Sequence, residues 1–102
     1  MIHQAALPSP YRFHRGGEII SGQIAYETWG ALNQTKSNSI LIFTGLSPSA
    51  HAASSSSNPE PGWWEQLIGE GAALDTNHFH IICVNSLGSC FGSSGPASID
   101  PV

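Results

Sequence analysis

Two short apolar runs, Ser39–Phe43 and Phe79–Val84, constrain the fold more than any other feature, because each stops abruptly at a loop rich in glycine and serine. An apolar run that is continuous rather than alternating is typical of a strand buried on both faces of a sheet. Such strands belong to α/β folds, in which ligands bind beyond the carboxyl ends of the strands. We therefore expect an α/β fold whose functional residues lie in two loops, 44–51 and 85–98.

A third strand is predicted at 23–29, where the side chains alternate in character with a period of two. Together with strands at 39–44 and 79–84 it predicts a mixed sheet. A short helix of about two turns is predicted near 63–68 and ends at Gly69. These elements are only part of a complete α/β sheet.

The N-terminal residues 1–12 are expected to be an irregular arm, because Pro8 and Pro10 block regular strand pairing. A hairpin that turns at Gly16-Gly17 follows. Residues 13–102 are assigned to a single domain.

Composition excludes several classes of function. Charged residues make up 10% of the chain, and the net charge of -4 does not suit a protein that neutralises nucleic-acid phosphates. No apolar run is long enough to cross a bilayer, and the first ten residues do not form a signal peptide. Two cysteines are too few for a disulfide framework, so both are interpreted as free thiols. We expect a cytoplasmic protein with neither nucleic-acid nor membrane partners.

The turn Thr44-Gly45-Leu46 is the first candidate for chemistry. A glycine directly after a buried strand lets the following amides face a cleft, where the Leu46 N–H could stabilise an oxyanion. Pro48 has no N–H to donate. A simple turn that ends the strand is the alternative interpretation.

Two further loop residues are candidates for chemistry. His51 is either a general base, a substrate contact or a hydrogen-bonding surface residue, and no carboxylate lies at a recognisable offset from it. Cys90 stands in a G-x-C-x-G pattern that imitates a nucleophile elbow. No helix can begin promptly after it, in the stretch from Ser93 to Ser98, so we reject Cys90 as the nucleophile.

The remaining candidates favour structural roles. His78 and His80 share a strand face but lack a third ligand in register, so no metal site is predicted. Trp63 and Trp64 are expected to anchor the core, with ligand stacking as the alternative. Cys83 is expected to be part of the core. The residues alone supply no complete catalytic set.

Several motifs, in order along the chain, resemble the homoserine O-acyltransferase family. The motifs are GQIAYETWGAL at 22–32, PGWWEQLI at 61–68 and NSLGSCFGSSGP at 85–96, together with the stretches 38–43 and 74–84. The resemblance implies the N-terminal portion of an α/β-hydrolase domain. It implies acyl transfer from an acyl-CoA co-substrate, without a bound cofactor or metal, to the hydroxyl of L-serine or L-homoserine. These reactions belong to cysteine and methionine biosynthesis.

The resemblance also implies roles for the first loop. Leu46 N–H is its expected oxyanion donor, while Ser47, Pro48, Ser49, Ala50 and His51 border the substrate pocket. In homoserine acetyltransferases the loop reads roughly H-A-L-T-G-D-S-H, whereas this chain reads TGLSPSAH at 44–51. The S-P-x-A-H form resembles the serine O-succinyltransferase branch, so succinyl transfer to serine is expected ahead of acetyl transfer to homoserine.

A Ser-Asp-His triad completes the family's site and is expected beyond this chain, in a parent enzyme that is a homodimer. The 102 residues alone are expected to be inactive. A hydrolase of the same fold and a non-catalytic interaction module remain as alternatives.

Overall fold

The computed structural model describes residues 2–44, 49–87 and 93. Strands, with turns and bends between them, are the regular structure of this part, and no helix occurs among these residues. The eight strands are β1 (His3–Ala6), β2 (Tyr11–Arg12), β3 (Glu18–Ile19), β4 (Gln23–Trp29), β5 (Ser39–Phe43), β6 (Ile68–Gly69), β7 (Leu74–Asp75) and β8 (His80–Val84).

A four-stranded mixed sheet organises the chain, in the order β1-β4-β8-β5. β4 runs antiparallel to both β1 and β8, and β5 runs parallel to β8 at the edge. The mixed sheet and its three predicted strands are confirmed, with bounds that agree to within one residue. Because β5 and β8 are parallel neighbours, the two loops that follow them leave the sheet at the same end.

The strand registers divide this sheet into a covered face and an open face. On the covered face Ile42 aligns with Cys83 and Glu27, and Ile40 aligns with Ile81 and Trp29. Loop residues and β6 pack on this face and complete the core, which comprises Trp29, Ile42, Ala52, Ala53, Ile68, Ile81 and Cys83. The position of Cys83 in the core is therefore confirmed.

The open face carries the alternate residues of the same strands. Phe43 aligns with Val84 and Tyr26, and Leu41 aligns with Ile82. Phe43 is 74% exposed and Leu41 is 53% exposed. The expectation that β5 is buried on both faces is therefore met on one face only within the described residues.

The predicted short helix near 63–68 is absent, and residues 63–67 form turns instead. The amides of Trp63 and Trp64 donate to the carbonyls of His51 and Ala52, at 3.4 and 2.7 Å. Ile68 is then drawn into a parallel pairing with Leu74 in a second, two-stranded sheet. The Leu67 N–H donates to the Trp64 carbonyl, and the Leu67 carbonyl accepts from the Leu74 N–H at 2.8 Å, so the chain turns toward β7 instead of continuing as a helix.

The irregular arm is also a wrong prediction in part, since His3–Ala6 pairs along its whole length with β4. The prolines do not prevent this pairing because the strand ends at Ala6, before Pro8. The predicted hairpin is confirmed: β2 pairs with β3, and both turn glycines have positive φ. Nowhere in the described ranges is there a helix that could span a membrane.

Candidate active site at the end of strand β5

The first predicted loop begins at Thr44, directly after β5. Residues 45–48, and with them Leu46, Ser47 and Pro48, lie outside the described residues, as does Cys90. The oxyanion role of the Leu46 N–H therefore stays a prediction. The loop meets its neighbour as expected: the hydroxyl oxygens of Thr44 and Ser86 lie 3.5 Å apart, at the carboxyl ends of β5 and β8.

His51, at the far end of this loop, is bound to the sheet. Its Nδ1 lies 3.0 and 3.2 Å from the two carboxylate oxygens of Glu27 on β4. Its Nε2 lies 2.6 Å from the carbonyl oxygen of Glu60. The two side chains are 17% and 6% exposed, so this pair is largely shielded from water.

The environment raises the pKa of His51 above its ordinary value of 6.5. Desolvation by burial lowers this pKa, but the hydrogen bonds to Glu27 and to the Glu60 carbonyl, together with the negative charges of both residues, outweigh that effect. His51 is therefore neither a surface residue nor a free general base, because both of its ring nitrogens are engaged.

Sequence reasoning missed Glu27, which lies 24 positions before its partner. The alternation of β4 did indicate that Glu27 is buried, because Glu27 lies on the same strand face as Ala25 and Trp29, both of which are buried. A carboxylate on the buried face of a strand requires a partner. The identity of that partner depends on the tertiary fold.

A second carboxylate, Glu65, fastens the segment that follows His51. It accepts hydrogen bonds from the backbone N–H groups of Ser54 and Gly62, each at 2.7 Å, and from the Ser54 hydroxyl. The Ser54 hydroxyl, followed by these two amides, lowers the pKa of Glu65 below its ordinary 4.5. The carboxylate thus closes residues 54–62 into a loop.

Two indole groups bind the same segment from its sides. Trp63 Nε1 donates to the carbonyl of Ser49 at 2.8 Å, and Trp29 Nε1 donates to the carbonyl of Ser54 at 3.0 Å. The expectation that Trp63 and Trp64 anchor the core is wrong for the described structure, where they are 37% and 40% exposed. Trp63 contributes through its N–H instead.

Ser93 fixes the second loop to the sheet. Its hydroxyl accepts from the Ala25 N–H at 2.9 Å and donates to the Asn85 carbonyl at 3.0 Å, while the Asn85 N–H donates to the Ala25 carbonyl at 2.8 Å. The side chain thereby continues the pairing between β4 and β8 beyond the end of β8. All three residues are buried.

Neither a metal site nor a reactive thiol emerges from the described residues. No group of three or more histidine, cysteine, aspartate or glutamate side chains in these ranges could hold a metal ion. His78 lies outside β8 and contacts Asp75 at 3.9 Å, so it does not share a strand face with His80. Burial raises the pKa of the Cys83 thiol to about 11.

Known proteins similar to this chain were found both by sequence and by structure. A serine O-succinyltransferase from Litchfieldella anticariensis is 63% identical over 95 residues, which cover 93% of this chain and 26% of that protein. A homoserine O-acetyltransferase from Bacillus anthracis superimposes with a TM-score of 0.87 at 38% identity, covering 99% of this chain and 29% of that one. Over nearly its whole length, this chain is therefore similar to the N-terminal part of enzymes of the homoserine O-acyltransferase family.

These matches confirm the resemblance that the motifs indicated and assign the sheet to the N-terminal part of an α/β-hydrolase fold. Esterase E22 shares that fold, with a TM-score of 0.83, 34% identity and coverage of 99% of this chain and 30% of its own. The chain spans about a quarter of the length of the curated relatives it matches. No family model matches it.

Proposed function

We propose that this chain is the N-terminal part of an acyltransferase that moves a succinyl group from succinyl-CoA to the hydroxyl of L-serine. The observation that carries the proposal is the 63% identity to a serine O-succinyltransferase over 93% of the chain. The S-P-x-A-H form of the first loop supports the same branch. Acetyl transfer to L-homoserine is the second candidate, favoured by the superposition on a homoserine O-acetyltransferase.

The proposed reaction breaks the thioester C–S bond of the acyl-CoA and forms an ester C–O bond to the acceptor. The acceptor's hydroxyl proton ends on the released CoA thiol, so the reaction balances without an oxidant or reductant. A serine nucleophile with its aspartate and histidine is proposed to lie on polypeptide beyond this chain. The acyl group resides on that serine between the two half-reactions.

Within this chain, the first loop is proposed to supply the oxyanion donor and one wall of the acyl pocket. The Leu46 N–H is the proposed donor, and Ser47, Pro48, Ser49, Ala50 and His51 are the proposed pocket residues. Ala50 is fully buried, so its contribution is to the path of the backbone. The contacts of Ser49 and His51 hold the end of this loop, residues 49–51, in one position, which supports a role in a preorganised site.

The open face of the sheet supports a longer parent protein. Phe43 and Leu41 present a large apolar surface of the kind that a folded domain covers. Residues 13–102 are accordingly proposed as the first portion of a single domain, in a cytoplasmic enzyme that forms a homodimer.

The test is a product assay with the full-length protein. Succinyl-CoA and acetyl-CoA are each supplied with L-serine or L-homoserine, and the products are identified by mass spectrometry. We expect O-succinylserine to form fastest. Preferential formation of O-acetylhomoserine would move the assignment to the second candidate.

An esterase is a third candidate, favoured by the superposition on esterase E22. The same assay distinguishes it, because a hydrolase releases free acid and CoA at a rate that does not depend on the amino acid. Hydrolysis without any transfer would overturn the proposed function.

A further inference from the structure

The two nitrogens of the His51 ring face atoms that can only accept hydrogen bonds. Nδ1 faces the carboxylate of Glu27 at 3.0 Å, and Nε2 faces the carbonyl oxygen of Glu60 at 2.6 Å. A neutral imidazole carries one N–H and can satisfy one such acceptor, whereas an imidazolium carries two. The geometry therefore selects the doubly protonated ring.

The surrounding charges favour the same state. Glu27, Glu60 and Glu65 are the acidic residues whose charges act on His51 or whose pKa responds to it. The chain contains three lysine and arginine residues in all, of which Arg12 pairs with Glu18. Glu27, with its side chain 6% exposed, needs a counter-charge, and the ion pair that the structure provides is the one with His51.

The ion pair between His51 and Glu27 also connects separate parts of the backbone. His51 ends the loop that begins at Thr44, and its backbone N–H donates to the Ser49 hydroxyl at 3.1 Å. The Ser49 carbonyl in turn accepts from Trp63 Nε1. The ring therefore connects this end of the loop to the central strand β4 on one side and to the segment 60–65 on the other.

We propose, building on the acyl transfer proposed above, that His51 is a positioning residue whose imidazolium is clamped between Glu27 and the Glu60 carbonyl and thereby fixes the backbone of residues 49–51 against strand β4. Loss of the ring proton removes one of the two hydrogen bonds and leaves the buried Glu27 carboxylate without its counter-charge. Residues 49–51, which are proposed to border the acyl pocket, are then held less firmly.

The clamp makes acyl transfer sensitive to alkaline pH. A raised pKa means that the clamp is complete at and below the ordinary value of 6.5 and is lost as pH rises through the higher value of the folded protein. Because Glu27 supplies the main raising interaction, Glu27→Gln should move this loss to lower pH while it preserves the shape of the side chain.

The first measurement addresses the clamp itself and does not depend on activity. The full-length protein is labelled with ¹⁵N-histidine, and the His51 ring signals are assigned by their absence in His51→Gln. At pH 6.5, the ordinary pKa of histidine, we expect most of the rings to carry a proton on both nitrogens, and the second proton to leave only as pH rises further. A ring that is mostly neutral at pH 6.5 would overturn the proposal.

The second measurement addresses the role in the reaction. The alkaline limb of the kcat profile should shift to lower pH in Glu27→Gln, and His51→Gln should lower kcat at pH 7 by about 10- to 100-fold with a smaller change in KM. His78→Gln is the matched control, because His78 is exposed and remote from the loop; it should leave both unchanged. An alkaline limb that stays in place in Glu27→Gln would overturn the positioning role.

The two proposals fail in different ways. Absence of acyl transfer by the wild-type protein would count against the proposed function, while the ring spectrum would still decide whether the clamp exists. Active wild-type protein with a neutral His51 ring would count against the clamp alone.

Discussion

At the scale of single residues, side-chain hydrogen bonds to the backbone hold the segment 49–65 where regular secondary structure is absent. Glu65 binds two amides of this segment, and Trp63 binds the Ser49 carbonyl. Gly62 allows the backbone to pass against Ala52. Each contact depends on one side chain, so its contribution to stability can be measured by substituting that residue.

Glu65→Gln is expected to lower the stability of the full-length protein near neutral pH, because a neutral amide accepts the Ser54 and Gly62 hydrogen bonds less strongly than a carboxylate does. The pKa of Glu65 is lowered in the folded state, so its contribution is present above the ordinary value of 4.5 and is lost as pH falls through the folded value. Urea denaturation at a series of pH values should show the two proteins converging at acid pH.

The control for this substitution is Glu70→Gln, since Glu70 is exposed in the turn after β6. Its stability difference from wild type should be small at every pH. A difference for Glu65→Gln that stays constant from neutral to acid pH would contradict the role of the charge.

Gly62→Ala should destabilise the protein by about 1–3 kcal/mol through steric conflict. A Cβ at this position would lie 2.2 Å from the carbonyl carbon and 2.3 Å from the carbonyl oxygen of Ala52, so the backbone must move. The comparison is Gly71→Ala, where no atom lies within 4 Å and the cost arises from the positive φ of 72° alone. Thermal denaturation and kcat measurements distinguish the two variants. Gly62→Ala should lower both the thermal stability and kcat, whereas Gly71→Ala should lower only the thermal stability.

At the scale of elements, the pairing between β4 and β8 is the connection on which both loops depend. β4 carries Glu27, which holds the first loop, and its Ala25 amide binds Ser93 of the second loop. One strand therefore supports two loops that leave the sheet at the same end.

Ser93→Ala is expected to cost about 1–3 kcal/mol, because it leaves the buried Ala25 N–H without its acceptor. Ser56→Ala is the control at an exposed position of the polar loop and should change stability little. Urea denaturation of the full-length variants measures both. Equal stability of the two variants would mean that Ser93 does not extend the sheet.

Three of the four strands of the main sheet could be predicted from the sequence because burial leaves a local pattern, whereas the exposed strand β1 leaves none. The alternation of 23–29 and the apolar runs that became β5 and β8 gave bounds within one residue of those observed. The turns at residues 63–67 could not be predicted, since the Trp64 amide and the Leu67 carbonyl bind Ala52 and Leu74, partners that no local pattern reveals.

For the candidate site, the sequence indicated a loop whose role in catalysis stays a prediction, and it did not reveal the contacts of that loop. His51 was recognised as a candidate residue, yet its pairing with Glu27 arises only when β4 and the loop meet in three dimensions. The family motifs assigned the acyl pocket through resemblance. Spacing alone could not have done so, because the nucleophile is proposed to lie beyond these residues.

At the scale of the whole molecule, the two faces of the sheet differ in the solvent exposure of their side chains. The covered face buries Ile81 and Cys83 completely, whereas Phe43 on the open face is 74% exposed. Among the described residues, strand β5 pairs with β8 on one side and with no strand on its other side.

Phe43→Ala should therefore distinguish the chain alone from its proposed parent. In the full-length protein, where more structure is proposed to cover this face, the substitution should cost about 3–5 kcal/mol. In residues 1–102 alone it should change stability little, because the ring already contacts mainly solvent. A similar small effect in the full-length protein, measured by chemical denaturation, would show that the open face is a true surface.

The same open face bears on how the protein is made. All four strands of the main sheet lie before residue 85, so their hydrogen bonds can form as soon as this stretch has left the ribosome. If the proposed parent covers this face, Leu41 and Phe43 would stay exposed until the rest of the domain is synthesised, at about 5–20 residues per second. A nascent chain that holds such a surface open for seconds is a natural client for a ribosome-bound chaperone.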